Sequence, residues 1–331
     1  MSYILTKSVI AANAAAAAHY QETTKLRIAA NATAENPMGS ELWAAIDAQT
    51  AEIIKPVEGE ALYTLLSPLA KTVQLGDIAM LWRVAGDEFK AQSSIDGQHE
   101  KPLQKTASEW DGTVIPLHTS SFSESFRSAG RDRYQLLDDQ AAATRSVRAR
   151  IIDDIFNGTP NAAYKNQKSL GIRANPNVQT LDLTAIGVDF TSPSLTWVLA
   201  RKGIIAIIEG LTGKDNGANG QIDIMISSKA YFNLMTLGAT TAIERSFLEM
   251  LTLLPGVRSI QMETMLADKE VLALIARQEY IAPLVGAAVT TYAQVRAGAL
   301  DNYSYTTWAA SGLQIKADAG GRSGVLYASG V

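Results

Sequence analysis

The sequence predicts an α+β protein. Three observations carry that expectation. Residues 131–157 run without proline or glycine and repeat Leu137, Ala141, Val147, Ile151 and Ile155 along one helical face. The second half alternates helix-like segments with short β-rich runs such as QIDIMI at 221–226. Elsewhere Asp96-Gly97, Asp111-Gly112 and Ala319-Gly320-Gly321 read as turns between β-rich segments. Short strands mixed with helices in this order belong to the α+β class.

The elements follow in chain order. Residues 11–18 are alanine except for Asn13. Alanine favours helix, but so thin an apolar face buries little and needs a partner surface. A second helix is predicted over 40–54, with Ser40 as N-cap, a loose apolar face of Leu42, Ala45, Ile46, Ala48 and Ile53, and Pro56 as its stop. Residues 1–60 hold four cations and seven acids, so this is not a basic arm that wraps DNA. It reads as an extended arm that lies on something else. A strand over 78–84 is expected to turn at 85–88 and return over 89–95. Residues 98–110 are polar and make a poor core segment. Residues 113–126 read as strand, with Pro116 demoting the first part to a sheet edge. The stretch 74–130 therefore looks like a polar, hairpin-bearing excursion that needs a neighbour.

Residues 131–157 form the strongest helix, ended by Gly158 and Pro160. At about 1.5 Å per residue it spans roughly 40 Å. Its five arginines balance five aspartates, which suits solvent or an interface. Residues 161–191 read as loop and short strands. Helices are then expected over 194–211, 228–235 and 243–254, and strands over 221–226, 257–264, 271–275, 281–287, 303–316 and 324–328. A Gly/Asn/Asp-rich loop fills 213–220.

Composition excludes several classes of function. The 331 residues allow two or three domains, or one with extensions. With 47% hydrophobic and 19% charged residues, wholesale disorder is ruled out. The net charge of −4 lacks the basic excess of a dedicated nucleic-acid binder. Without cysteine there is no disulfide or thiolate metal site, and three histidines (His19, His99, His118) argue against a multi-histidine metal centre. No apolar run reaches bilayer length; the longest, 192–211, is broken by Arg201, Lys202, Gly203 and Glu209. The N-terminus is a poor signal peptide, because Lys7 follows rather than precedes the apolar residues. The expectation is a soluble cytoplasmic chain.

No motif rises to catalysis. Gly210-Leu211-Thr212-Gly213-Lys214 has the wrong spacing for a phosphate loop, with Asp215 where Ser or Thr is needed, and reads as a flexible loop. Residues 320–324 carry glycines with no following helix and read as a hairpin turn. His99-Glu100 lacks the second histidine of a zinc-protease helix. His118 reads as a surface or satisfied histidine in a strand. Asp138-Asp139 and Asp153-Asp154 are helix neighbours that do not face each other, and read as a solvated or interface face. The sites Asn157-Gly158-Thr159 and Asn302-Tyr303-Ser304 matter as sequons only after secretion. No catalytic, cofactor-binding or metal-binding residue is assigned, and the chain is not expected to be an enzyme.

The order of elements carries a further likeness. Ile115-Pro116-Leu117, Phe122 and Phe126-Arg127 lead into the long helix. That helix carries Ala141-Ala142-Ala143, Val147, Asp153-Asp154 and Ile155-Phe156, with Gly158 after it and Gly171-Ile172 beyond a short loop. In this order, over about sixty residues, the chain resembles the major capsid proteins of tailed bacteriophages and the related encapsulin shells. Beyond that stretch the likeness is one of architecture. The resemblance implies a Hong Kong 97-like (Johnson) fold, with strand connectivity left open. Residues 1–73 would be the N-terminal arm and 74–130 the extended E-loop. Residues 131–190 would form the peripheral domain with its spine helix, 191–298 the axial domain, and 299–331 the strands returning to the peripheral domain.

The implied function is a structural major capsid protein. It self-assembles into hexamers and pentamers of an icosahedral head and encloses double-stranded DNA without sequence-specific contact. Portal, scaffold and cement or decoration proteins are the further partners, with no cofactor and no membrane. Assembly would take place in the bacterial host cytoplasm and the mature location would be the virion. The alternative is an encapsulin-like nanocompartment enclosing cargo enzymes. Physical chemistry agrees, because polar arms do not offset their ordering entropy alone and gain by pairing strand edges on neighbours. A covalent chainmail would need a lysine such as Lys90, Lys101 or Lys105 joined to an asparagine such as Asn302; a non-covalent shell is expected.

Overall fold

The structure, a computed structural model, describes residues 58–85, 108–125, 133–165, 167–236, 245–296, 298 and 301–330. The predicted helices at 11–18 and 40–54, the strand at 89–95, the Asp96-Gly97 turn, His19, His99, Lys90, Lys101 and Lys105 lie outside the described residues.

Helix α1 (Glu60–Leu66) passes through a short 3-10 turn (Ser67–Leu69) into strand β1 (Lys71–Thr72). Strands β2 (Ala79–Ala85), β3 (Ser108–Val114) and β4 (Leu117–Glu124) precede the long helix α2 (Arg133–Asn157). Then come β5 (Gly158–Tyr164), β6 (Gln167–Leu170), β7 (Gln179–Asp182), α3 (Trp197–Thr212), β8 (Ile222–Ile226), α4 (Ser228–Thr236) and α5 (Phe247–Thr252). Five strands close the order: β9 (Val257–Met262), β10 (Glu270–Leu274), β11 (Ile281–Ala293), β12 (Tyr303–Ile315) and β13 (Val325–Ser329). The mixed α+β class is as predicted.

Two compact units divide the described residues: those within 56–118, 148–289 and 309–331 form the larger, and those within 119–147 and 290–308 the smaller. The larger is built on a five-stranded mixed sheet of order β7-β13-β10-β8-β9. β10 is antiparallel to both β8 and β13, while β7 runs parallel to β13 and β9 parallel to β8. Every residue of β8 is buried, as its unbroken apolar run predicts. Alternation sends Ile222, Ile224 and Ile226 to one face, where Ile204, Ile207 and Leu211 of α3, Leu234 of α4 and Leu251 of α5 cover them. Met225, Leu272, Leu274 and Val325 go to the other, against Leu62 and Leu66 of α1 and Ile152, Ile155 and Phe156 of α2. Each such side chain contributes about 1.5–3 kcal/mol by full burial. Asp223 shares this strand, but two donors of Arg258 and the Ser259 hydroxyl satisfy its carboxylate.

The exit of α2 shows how local sequence fixes that second layer. Gly158 has φ +75°, and a Cβ on it would stand 2.4 Å from the Gly171 nitrogen. A Cβ on Gly171 would meet the Gly158 nitrogen and the Phe156 carbonyl carbon at the same distance. The close pass lets Ile172 N–H donate to the Ile155 carbonyl (2.9 Å) and Arg173 N–H to that of Phe156 (3.0 Å), satisfying end carbonyls of the helix. The Arg173 guanidinium adds bonds to Asn157 Oδ1, the Met265 carbonyl and Glu270 Oε2. At the start of α1, buried Glu263 accepts from Leu62 N–H at 2.9 Å, and Arg148 pairs with Glu60 and lies over the Tyr63 ring. β1 joins β11 in parallel within a second sheet of order β1-β11-β12-β4, and β2-β3 and β5-β6 are two-stranded ribbons.

The smaller unit relies on polar and aromatic pairs. Phe122 stacks on Tyr305 at 5.1 Å, Thr291 bonds Thr307 at 2.8 Å, and Gln294 Nε2 donates to Thr306 Oγ1 at 2.9 Å. Arg296 sits 4.1 Å above the Tyr303 ring.

Four expectations need correction. Asp111-Gly112 is not a turn: it lies inside β3, where Gly112 is opposite Leu81 and a Cβ would come within 2.4 Å of that side chain. Glycine here admits the cross-strand leucine rather than bending the chain. The 319–321 turn is not a hairpin between its flanking strands, since β12 and β13 belong to different sheets and only Ala317 and Ser323 bridge it. The helix expected over 243–254 is confined to Phe247–Thr252 among the described residues, because Ser246 is an extended N-cap that accepts from Glu249 N–H. Strand β11 continues past 287 to Ala293, paired where the sequence reading stopped. The edge signal of Pro116 is confirmed in modified form: Pro116 precedes β4, and β4 is the sheet edge.

Phe156→Ala should cost about 3–5 kcal/mol. Urea unfolding of the variant should show it, whereas Asp138→Asn on the exposed side of α2 should stay within about 0.5 kcal/mol.

Candidate assembly surfaces

The two-stranded ribbon offers the clearest exposed apolar surface. Register places Leu81 opposite Gly112 and Arg83 opposite Trp110, so these four share one face. That face is open: Leu81 is 51% exposed and Trp110 is 68% exposed. Ile78, at the start of the ribbon, and Leu117, just beyond it, are also exposed. On the opposite face Trp82 and Thr113 turn inward. Among the described residues neither outer edge of the ribbon is paired. A two-stranded ribbon with a large aromatic on its outer face is only marginally stable alone, and its free edges can template another strand.

A second exposed set lies on the helices of the larger unit: Val198 and Ile205 about two turns apart on α3, Phe232 and Met235 on α4, and Leu253 just after α5. In the smaller unit Tyr292 and Val295 are exposed at the end of β11. Sequence reading marked the excursion by its polarity and missed the alternation of ILE-ALA-MET-LEU-TRP-ARG-VAL over 78–84, which sends Leu81 to the side opposite Trp82.

The expectation of a surface or satisfied His118, and of a solvated or interface face for Asp153-Asp154, needs correction at His118 and Asp154. His118 is 5% exposed and Asp154 is 2% exposed. Adjacent helix positions are about 100° apart, so Asp153 faces outward to Arg150 while Asp154 turns in. Asp154 accepts from the Thr159 and Ser169 hydroxyls at 2.5 and 3.2 Å. Burial, opposed by those bonds and by His118, holds its pKa above the carboxylate range. Burial also lowers the His118 pKa, against the attraction of Asp154, and its Nε2 has no hydrogen-bond partner. Nearby, burial and a hydrogen bond to Glu270 push the Tyr327 hydroxyl up to about 12.

Gly210, Leu211 and Thr212 belong to the last turn of α3 rather than to a loop, and Gly213 is its C-cap; phosphates are cradled at helix N-termini. Among the described residues no group of three or more acidic or histidine side chains could hold a metal ion, and no helix is long and apolar enough to cross a membrane.

A family model described as a family of unknown function (DUF6260) matches residues 31–328. The chain belongs to the DUF6260 family. No curated protein matches it. Among solved structures, the DUF6260 chain is similar to the capsid of Myoviridae phage XM1 at 14% identity and TM-score 0.57, over 81% of this chain and 92% of that one. It is similar to a chain of Mycobacterium phage Che8 at 12% identity and TM-score 0.52, over 80% and 90% of the two chains. The mature capsid of bacteriophage PhiM1 matches at 10% identity and TM-score 0.51, over 79% and 85%. At these identities the likeness is one of fold. The DUF6260 chain has the tailed-phage capsid fold, of Hong Kong 97 type.

The buried pair predicts an opposed pH response. A histidine whose folded pKa is depressed loses stability as pH falls below its ordinary 6.5. A carboxylate whose folded pKa is raised loses stability as pH rises from its ordinary 3.8 to the folded value. Between pH 7 and 5, His118→Gln should therefore be less acid-sensitive than the parent in urea midpoint, and Asp154→Asn, which removes the charge that favours the imidazolium, more acid-sensitive than the parent. Parallel profiles for all three would contradict the assignment.

Proposed function

We propose that this chain is the structural subunit of an icosahedral phage capsid, assembling as hexamers and pentamers around double-stranded DNA that it contacts without sequence preference. The observation that carries the reading is the match of fold to capsid chains over about four-fifths of this chain. Residues 1–73 act as the N-terminal arm, 74–130 as the extended E-loop and 131–190 as the peripheral domain with α2 as its spine. Residues 191–298 form the axial domain, and 299–331 return to the peripheral domain.

The β2-β3 ribbon supports this reading physically. Leu81 and Trp110 are exposed, and among the described residues neither outer edge of the ribbon is paired. Burial against a neighbouring subunit removes both liabilities, and obligate interfaces of this kind commonly exceed about 2,000 Å². The role needs binding surfaces and no catalytic group, cofactor or metal. Portal, scaffold and cement proteins are its further partners; it assembles in the host cytoplasm and remains in the virion.

Electron microscopy of the chain, expressed alone and together with the products of its neighbouring genes, tests the reading. Shells, tubes or capsomer rings are expected, and DNA-filled rather than enzyme-filled particles from infected cells. A monomer of 35.4 kDa under both conditions would overturn it. Trp110→Asp should raise the concentration needed for assembly by about ten-fold or more while leaving the unfolding transition of the monomer in place. A boiled denaturing gel of particles should give one band near 35.4 kDa, since the shell is held without covalent links. A ladder of oligomers would reverse that last point.

A further inference from the structure

A cavity of about 400 Å³ opens in the larger unit between Trp82–Val84 of β2, the 216–218 loop, the turn at Glu279 and Tyr280, and the 316–323 turn. Its walls are tied together. Asn216, itself buried, donates to the Leu211 and Ser323 carbonyls at 2.6 and 2.7 Å and accepts from Ser323 N–H at 2.8 Å. Asp318 accepts from Gly320 N–H and Arg322 N–H at 2.9 and 2.8 Å, which fixes the 318–322 turn.

The charges around this cavity do not balance. Arg83, Lys316 and Arg322 line it. Of its two acids among the described residues, Glu279 pairs with Arg277 at 3.2 Å, and Asp318 holds its own turn and pairs with Arg322 at 3.8 Å, which leaves the excess charge on Arg83 and Lys316. Lys71 stands beside Lys316, and its hydrogen-bond acceptors, the Gln278 carbonyl and Gln314 Oε1, are neutral. Loss of hydration, and then the neighbouring Lys316 ammonium, hold the Lys71 pKa below its ordinary range. Two ammonium groups facing each other cost free energy. A ligand that brings anionic oxygens beside Lys316 offsets that cost.

We propose that this cavity is a binding site for a multivalent oxyanion of the phosphate class. Lys316 and Arg83 supply the charge, and Arg322 adds a planar guanidinium that accommodates two oxygens. Lys71 reinforces Lys316 from behind. The volume lies within the range of ordinary small-ligand pockets, so a diphosphate fits with room to spare.

Isothermal titration of the full chain with sodium pyrophosphate at low ionic strength tests the site. Saturable binding of one pyrophosphate per chain is expected, weaker for inorganic phosphate and weakened by added salt. Lys316→Gln should reduce affinity about ten-fold or more, Lys316→Arg should stay within about three-fold, and Lys168→Gln, outside the cavity, should match the parent. Arg83→Gln removes the second charge from an exposed strand position, and should also weaken binding, which serves if Lys316→Gln fails to fold. Absence of saturable binding, or unchanged affinity in both Lys316→Gln and Arg83→Gln, would overturn the proposal. Citrate binding more tightly than pyrophosphate would overturn the phosphate class.

Discussion

The larger unit depends on one constraint: its five-stranded sheet must be dry on both faces. β8 is buried throughout, so neither of its faces can be left to solvent. One apolar layer comes from α3, α4 and α5, which follow each other closely in sequence. The other is assembled from distant segments, α1 and the end of α2, with Leu313 and Ile315 of β12. That second layer requires long-range fastening. Glu263 holds the start of α1, Arg148 joins α2 to Glu60, and the Gly158–Gly171 contact caps α2 while leaving room for Phe156.

Polar groups drawn into this packing explain the features that looked ordinary in sequence. Asp223 lies in the fully buried strand and is tolerated because Arg258 and Ser259 reach it. Asp154 and His118 are buried together with incomplete satisfaction, which turns two unremarkable residues into titratable elements of the core. The β2-β3 ribbon takes the opposite course. It keeps Leu81 and Trp110 exposed on one face.

Much of the fold was legible because local periodicity coincides with burial. The long helix was visible from Leu137, Val147, Ile151 and Ile155, all buried, and from its glycine stop. QIDIMI read as a buried strand because all its apolar positions share β character, and no neighbour was needed to see it. The failures have a common origin in glycine and aspartate. Gly112 was taken for a turn residue, when the cause of its small size is the leucine across the ladder, thirty-one positions earlier. Asp154 was taken for a surface acid because the identity of a residue does not reveal which side of the helix meets another layer.

The sequence alone determined the α+β class, the long helix, the buried strand β8 and the absence of cysteine chemistry, since each follows from composition or short-range spacing. The assignment of β12 and β13 to separate sheets, the fate of the acidic pair, the exposed ribbon face and the cationic cavity were decided only by tertiary structure. Each requires residues far apart in the chain to meet. Which long-range pairs form is set by the total burial of both sheet faces and by the few close approaches that permit it, and no local pattern carries that information.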